Sequence, residues 1–266
     1  MVAKYPVTTM PTVLGYSAYR LLQWTWAGLD WLFPPVCVGC DHPGVYLCDD
    51  CLQTIQYVLP PICECCGQAI DYPGMCAACR ADPPGYTSLR SWAWHTGVVR
   101  NAIHRLKYQG DLSLGEVFSR PIINLLNETH WEIDLVVPVP AGIARQAERG
   151  YNQAALLAWP VAYGCNLAYQ AKALYKVRET LSQVGLNRTQ RRQNVKQAYR
   201  ANVDLVSGKK VLLIDDVATS GATMDACTAA LLESGATQVY GLTLARAMFA
   251  DKNDTLYQEV QYDSAS

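Results

Sequence analysis

The sequence predicts an α/β protein with a mainly parallel sheet flanked by helices, preceded by an N-terminal helix and a small cysteine-rich module. Beyond residue 85, short apolar segments of strand type alternate with segments of helical periodicity, which indicates a parallel sheet. Before that point, nine of the eleven cysteines lie between Cys37 and Cys79. This cysteine-rich segment has too few apolar residues to form a core without a metal.

Size and charge narrow the class of protein. The chain has 266 residues and is half hydrophobic, which is enough for one α/β domain and a small module. Its formal charge of −1 gives no overall attraction to nucleic acid or membrane. We expect no membrane span, because charged residues interrupt the apolar N-terminal stretch. With no secretory cleavage site, and cysteines grouped as for a metal, we expect a cytoplasmic, reducing location.

The cysteines form four C-x-x-C pairs. Two such pairs supply the four thiolates of a tetrahedral zinc site, so the spacing predicts one or two structural Zn²⁺ ions. The sequence leaves open an interleaved pairing of the pairs, the use of Cys65 in place of Cys66, and, less favoured by the spacing, iron–sulfur ligation. Four thiolates leave no open coordination position, which favours a structural or partner-docking role. The predicted ligands are Cys37, Cys40, Cys48, Cys51, Cys63, Cys66, Cys76 and Cys79.

Proline and glycine divide the chain into segments. Residues 12–33 have the spacing of an amphipathic helix that ends at Pro34 and Pro35. We expect this helix to pack on the rest of the protein, because it has almost no basic face for a membrane surface. The expected domains are the N-terminal helix (1–34), a double zinc ribbon (35–82), an α/β domain (86–248) after a short linker, and a flexible tail (249–266).

The α/β domain shows strand and helix patterns in turn. Strands are predicted at residues 89–94, 133–139, 173–177, 210–215 and 238–244. Helices are predicted at residues 98–107, along one long stretch after residue 139 that includes Gln153 and Ala162, and at residues 221–234. This order favours a mainly parallel sheet.

The most informative stretch joins the strand at 210–215 to the following helix. Its loop of small hydroxyl residues leaves backbone N–H groups unpaired at a helix start, where the helix dipole also favours an anion. Gly221 allows close approach of the backbone. Asp215 and Asp216 would repel a phosphate, so we expect them to face the hydroxyls of a ribose. The stretch therefore predicts a site for a sugar phosphate such as phosphoribosyl pyrophosphate (PRPP).

The predicted PRPP site has a simpler alternative, in which Asp216 or Thr219 only caps the helix. Capping explains one residue and leaves the rest of the run unexplained. A nucleotide P-loop is disfavoured, because its G-x-x-x-x-G-K-[ST] pattern is absent from the sequence. The candidate site residues are Asp215, Asp216, Ala218, Thr219, Ser220, Gly221, Ala222 and Thr223.

Together these motifs resemble the ComF family of phosphoribosyltransferase-like proteins, which is linked to DNA uptake in natural transformation. Residues 215–223, DDVATSGAT, are similar to the type I phosphoribosyltransferase signature, with Ser220 where threonine is more usual. The resemblance includes the double zinc ribbon and spans nearly everything except the tail. Other matching positions are Lys107, Tyr108, Asp111, residues 138–140 and 149–153, Arg178, Gln183, Arg192 and Asn194. It implies a type I phosphoribosyltransferase-like fold at 86–248.

A basic segment follows the strand predicted at 173–177. Eight basic residues stand between Lys172 and Arg200 against one acid, Glu179. Cations and Mg²⁺ stabilise the charge that develops on a departing diphosphate, and the resemblance implies the family's flexible loop here. The candidate diphosphate ligands are Arg149, Arg178 and Arg192. The alternatives are a solvated face or a track for the phosphates of single-stranded DNA.

Two hypotheses about function result. In the first, the protein transfers a phosphoribosyl group from PRPP with Mg²⁺, and Asp215 and Asp216 are the catalytic residues. In the second, the same fold binds PRPP, a nucleotide or single-stranded DNA without catalysis, while the zinc ribbons dock a helicase-like competence protein. The sequence does not identify an acceptor.

Overall fold

The computed structural model describes residues 34–178 and 198–248. The strands, in chain order, are β1 (Ser88–Trp94), β2 (Leu135–Pro138), β3 (Ala168–Tyr169), β4 (Leu174–Lys176), β5 (Tyr199–Ala201), β6 (Lys210–Ala218) and β7 (Gln238–Arg246). The helices are α1 (Asp49–Gln53), α2 (Ala77–Ala81), α3 (Gly97–Tyr108), α4 (Ser113–Thr129), α5 (Ile143–Arg149), α6 (Gln153–Gly164), α7 (Val203–Val206) and α8 (Ala222–Glu233). The predicted N-terminal helix and tail lie outside the described residues.

A five-stranded parallel sheet forms the centre of the protein, in the order β1-β7-β6-β2-β3. Because the strands are parallel, their carboxyl ends meet at one edge of the sheet. β6 is the middle strand, and its residues from Val211 to Ile214 are fully buried, which explains their unbroken apolar run. The sheet and its helices confirm the predicted α/β class.

Helices cover both faces of the sheet. On one face, α3, α4 and α6 pack against a layer that includes Leu212, Ile214 and Leu242. On the other face, Met224 and Leu231 of α8 pack against a layer that includes Leu213. Among the described helices, none is long and apolar enough to cross a membrane.

The cysteine-rich module lies along the outer edge of β1. Three backbone hydrogen bonds join the module to this strand, whose peptide groups would otherwise be open to pairing with another chain. The bonds run from Val58 N to Trp92 O (3.1 Å), from Trp94 N to Gln56 O (2.8 Å) and from Leu89 N to Cys65 O (2.8 Å). The module therefore completes the edge of the sheet.

The secondary structure differs from the prediction in several places. The long stretch predicted to be helical through Gln153 and Ala162 is helical, but it consists of two helices, because Gly150 ends α5 with a φ of 80° and Asn152 caps α6. Helix α4 was not predicted. The strand expected at 173–177 exists as β4, but it pairs antiparallel with β5 in a separate two-stranded sheet.

Candidate functional site

A pocket opens at the carboxyl ends of β6 and β7. Its space is about 240 Å³, part of it open to solvent. Ligands of parallel α/β sheets bind at this kind of edge. The residues that line the pocket are Asp215, Val217, Ala218, Thr219, Gly221, Thr223, Met224 and Thr243. The structure thus brings five of the predicted site residues around one cavity, namely Asp215, Ala218, Thr219, Gly221 and Thr223.

The turn from β6 into α8 favours an anion. Within the described residues, no side chain caps the start of α8, where Gly221 is the N-cap with a left-handed φ of 78°. Ser220 Oγ accepts only a long hydrogen bond, 3.4 Å, from Ala222 N. N–H groups in a first helical turn have no partner within the helix, so they can bind a phosphate. The alternative that Asp216 or Thr219 caps α8 is wrong.

The two acids at the end of β6 have different surroundings. Lys107 Nζ lies 2.5 Å from Asp216 Oδ2, and Gln153 Nε2 donates to Asp216 Oδ1 at 3.2 Å. The Asp216 side chain is only 5% exposed. Asp215 is partly exposed and lines the pocket, and its Oδ1 accepts the backbone N–H of Asp216 at 2.9 Å. One acid therefore faces the ligand space and the other faces a cation.

The pKa values of these groups follow from the same contacts. Burial raises the pKa of Asp216, but the Lys107 ammonium outweighs burial and holds this pKa below its ordinary value. Burial, and then the charge of Asp216, raise the pKa of Asp215 well above its ordinary value. Burial lowers the pKa of Lys107, yet Asp216 gives a net increase. Lys107 and Asp216 are therefore an ion pair at neutral pH, while Asp215 takes up a proton more easily.

Arg149, a predicted diphosphate ligand, is joined to this ion pair. Its Nη1 donates to Gln153 Oε1 at 3.0 Å, and Gln153 in turn donates to Asp216. The guanidinium also lies over the ring of Tyr108, 4.9 Å from the ring centroid, at a cation–π distance. Arg149 and Lys107 therefore belong to one network around Asp216.

The last turn of α3 is fixed to its surroundings, and this places Lys107 against β6. Without such contacts a lysine at a helix end would be held loosely, since its side chain has four rotatable bonds. The contacts are Tyr151 Oη to Leu106 O (2.6 Å), Arg105 Nη2 to Asp111 Oδ2 (2.8 Å), and Arg149 over the Tyr108 ring.

The eight predicted metal ligands form two groups of four, and within each group the sulfur atoms lie within 4.8 Å of one another. The distance is 3.6 Å between Cys37 Sγ and Cys48 Sγ and 3.8 Å between Cys66 Sγ and Cys76 Sγ. A tetrahedral zinc with Zn–S bonds of about 2.3 Å needs sulfur–sulfur edges of about 3.8 Å. Both groups fit zinc. The first consists of Cys37, Cys40, Cys48 and Cys51, and the second of Cys63, Cys66, Cys76 and Cys79.

The structure answers two points that the sequence left open. The groups are consecutive along the chain and are not interleaved. The second contains Cys66, whereas Cys65 Sγ lies 4.0 Å from the carbonyl oxygen of Tyr86.

The two cysteine groups are built alike. In each, the third cysteine precedes a short helix and points its backbone N–H at the sulfur of the first, at 3.4 Å for Cys48 and Cys37 and 3.3 Å for Cys76 and Cys63. Burial raises the pKa of Cys37 and Cys63, but backbone N–H groups outweigh it and lower each pKa to about 6. Both sulfurs thus favour the thiolate that zinc binds.

The groups differ in how they are attached to the sheet. In the first, Cys40 is exposed, and Gly39 packs against Val98 of α3. In the second, four hydrogen bonds run from β1 and β7 to residues 63–68. These are Leu89 N to Cys65 O (2.8 Å), Ser88 Oγ to Glu64 O (2.8 Å), Arg90 Nη1 to Cys63 O (3.4 Å) and Arg246 Nε to Gln68 Oε1 (3.4 Å). The second group is therefore bonded to two neighbouring strands of the sheet.

Some site residues lie elsewhere or were missed. Arg178 is exposed beyond the end of β4, and Arg192 lies outside the described residues. Thr243 lines the pocket from inside an apolar strand, where no local motif marks it. Lys107 was noticed through the family resemblance alone, and no contact was predicted for it. Its partner is distant in sequence, so only the fold could show the pair.

Comparison with known proteins gives matches over most of the chain. A double zinc ribbon domain model matches residues 28–80, and a phosphoribosyl transferase domain model matches residues 119–264. DNA utilization protein YhgH of Salmonella typhimurium is 28% identical over 227 residues, covering 83% of this chain and 98% of that protein. Competence protein F of Haemophilus influenzae is 28% identical over 210 residues, covering 76% of this chain and 90% of that protein.

Among solved structures, an allosteric regulatory enzyme of purine biosynthesis is 24% identical with a TM-score of 0.34. The match covers 48% of this chain and 26% of that enzyme, so this chain spans about a quarter of its length.

The parallel sheet and the two domain matches define the class, a phosphoribosyltransferase-type protein with zinc ribbons before it. The phosphoribosyl transferase model covers more than half of the sequence, and the chain belongs to that family. The relatives, named competence protein F and DNA utilization protein, confirm the ComF resemblance that the motifs indicated.

Proposed function

We propose that the pocket at the end of β6 binds PRPP. The 5′-phosphate occupies residues 219–223, the ribose hydroxyls lie beside the acidic pair, and the diphosphate extends toward Arg149, with Arg178 and Arg192 as further ligands. One observation carries the proposal: an uncapped helix start and an acid share one small pocket. A sugar phosphate suits both, because the helix start favours its phosphate and Asp215 accepts hydrogen bonds from its hydroxyls.

We further propose that the protein transfers the phosphoribosyl group. The bond from the anomeric carbon to the diphosphate oxygen breaks, and its electron pair leaves with the diphosphate. A lone pair of the acceptor forms the new bond, and the proton that the acceptor loses passes to the departing diphosphate or to water. Mg²⁺ bound with PRPP would neutralise the negative charge that develops on the departing diphosphate. Asp215 holds the ribose as positive charge develops on its ring, and Arg149 stabilises the leaving group.

Calorimetric titration with PRPP and Mg²⁺ tests the site. We expect micromolar binding by the wild-type protein and its loss in Asp215→Asn, with release of pyrophosphate once the right acceptor is present. Asp204→Asn is the matched control, because Asp204 is an exposed acid on α7, outside the residues that line the pocket. Absence of PRPP binding by zinc-loaded wild type, or equal binding by Asp215→Asn, would refute the proposal.

A second candidate function is binding of single-stranded DNA by the β4–β5 sheet. Tyr175 is 49% exposed there, and Lys172, Arg178 and Arg200 are exposed around it. Exposed aromatic and basic side chains suit the stacking of bases and the binding of phosphates. The relatives named competence protein F and DNA utilization protein support a role in DNA uptake. We propose that the protein acts in natural transformation, in the cytoplasm and with a helicase-like partner.

Fluorescence anisotropy with single-stranded DNA at increasing salt tests this second function. Lys172→Ala/Arg200→Ala should weaken binding and reduce the slope of log K against log salt by about 1.4, the value for two lost phosphate contacts. Lys209→Ala, at the opposite, amino end of β6, is the control. An unchanged slope in the double variant would exclude the β4–β5 sheet as the DNA-binding surface.

We also propose that each cysteine group binds one structural Zn²⁺. The support is the tetrahedral spacing of the sulfurs and the double zinc ribbon match.

A further inference from the structure

We propose that Lys107 binds the diphosphate end of PRPP, and that Asp216 is the positioning residue that holds Lys107, not a ligand of the sugar. This inference rests on the proposed PRPP site and divides the roles of its two acids. The sequence motif does not make this distinction, because the two acids are adjacent and identical in type.

Asp216 has little exposed surface left for a ligand. Its Oδ2 faces the Lys107 ammonium and its Oδ1 accepts from Gln153. The residue is 3% exposed and stands on a strand whose neighbours pair on both sides. A carboxylate has about four acceptor sites, so access is what limits a ligand: in this buried position a ribose hydroxyl would have to displace the Lys107 ammonium, which lies 2.5 Å from Oδ2. Asp215 needs no such exchange, because it already lines the pocket.

Lys107, in contrast, retains hydrogen-bond donors for a ligand. An ammonium has three donors and no acceptor, so one bond to Asp216 leaves donors for another anion. The Lys107 side chain is 23% exposed, against 5% for Asp216, so it is the member of the pair that a ligand can reach. The fixed last turn of α3 holds the ammonium at this position.

The charges across the site follow the order of the charged groups in PRPP. The uncapped start of α8 favours a phosphate, and Asp215 favours hydroxyls. On the other side of the acids, the network from Lys107 through Asp216 and Gln153 to Arg149 provides two cations. A ligand with a phosphate, a hydroxyl-bearing ring and a second anionic group matches this order. PRPP differs from ribose 5-phosphate by that second group, the diphosphate.

Two ligands therefore test the inference, PRPP with Mg²⁺ and ribose 5-phosphate, each titrated by calorimetry. Lys107→Met should weaken PRPP binding by about 10- to 100-fold, the usual effect of losing one hydrogen bond to a charged group. The affinity for ribose 5-phosphate should not change. Asp216→Asn should also weaken PRPP selectively, because Lys107 loses its anchor. Lys107→Met/Asp216→Asn should bind PRPP no more weakly than Lys107→Met alone, because the two residues act as one unit. Lys209→Met removes an equal charge at the amino end of β6 and should change neither affinity.

The outcomes separate this inference from the proposed function. Equal weakening of both ligands in Lys107→Met would overturn it, since Lys107 would then only support the pocket. Loss of ribose 5-phosphate binding in Asp216→Asn would also overturn it, because Asp216 would be a sugar ligand. If wild type binds neither ligand, the proposed function fails and the inference with it. Lys107→Met leaves the buried charge of Asp216 without its partner. If this variant unfolds, Lys107→Met/Asp216→Asn, which removes both charges, is compared with the wild type instead.

Discussion

Replacing Cys76 with serine removes one ligand of the cysteine group that is bonded to the sheet, and replacing Cys48 removes the corresponding ligand of the other group. The two cysteines are a matched pair. Each is partly buried, precedes a short helix and points its N–H at the first sulfur of its group. The stability lost with the zinc–sulfur bonds is therefore the same in the two variants and cancels when their melting temperatures are compared.

The remaining difference comes from the hydrogen bonds between residues 63–68 and the sheet, because the bonds of Gln56 and Val58 to β1 lie between the two groups and are common to both variants. Four such bonds join this segment to β1 and β7. Each contributes about 1 kcal/mol net, so their loss with the metal lowers the free energy of unfolding by up to about 4 kcal/mol. For a domain of this size, Cys76→Ser should melt about 8–16 °C below Cys48→Ser.

Circular dichroism on heating measures this difference, and metal analysis shows whether each variant has lost one zinc. The wild-type protein should contain two zinc ions per chain and each variant one. Equal melting temperatures at equal zinc content, or a lower one for Cys48→Ser, would refute the reasoning. The bonds to the sheet would then survive without the metal.

Three further outcomes follow from single residues. Gly221→Ala should weaken PRPP binding in the calorimetric titration, because the new Cβ would lie 3.0 Å from Tyr86 Oη at a φ of 78°. Gly208→Ala is the control: Gly208 also has a left-handed φ, but no atom lies within 4 Å of the new Cβ, so this variant should bind PRPP normally. Asp215→Asn should raise the melting temperature at neutral pH, because the fold raises the pKa of Asp215 and the ionised carboxyl therefore destabilises the folded protein. The gain should vanish below about pH 4, where the carboxyl is protonated in both the folded and the unfolded protein. A gain that persists at low pH in thermal melts would contradict this. Thr243→Val should lower the free energy of unfolding in urea by about 1–3 kcal/mol, because it leaves the buried Ser91 hydroxyl without its hydrogen-bond partner at 2.7 Å. An unchanged free energy would show that Ser91 finds another partner.

Much of this protein could be predicted from its sequence because several signals are local. The buried strand at β6, the loop that follows it and the C-x-x-C pairs each carry their pattern within a few residues. The break between α5 and α6, and the contacts between distant residues, have no such local pattern. Gly150 and Asn152 divide a helical stretch into two helices, and the cost of one glycine in a helix, about 1 kcal/mol, does not decide from sequence alone whether the helix continues or ends there.

The roles within the site depended on contacts between distant segments. Asp215 and Asp216 are adjacent in sequence and identical in type, yet the strand turns them toward different neighbours. The partner of Asp216 comes from α3, which no spacing rule connects to β6. The antiparallel pairing of β4 with β5 likewise depends on residues that lie far apart in the chain.

The attachment of the zinc ribbons to β1 has a consequence for a cell that is short of metal. The ribbons are synthesised before the sheet, so a chain that lacks zinc completes its parallel strands while β1 still exposes its outer edge. Exposed edges pair with other chains. A deficit of zinc would thus appear first as self-association of newly made protein, before any defect in how the mature molecule handles its ligand.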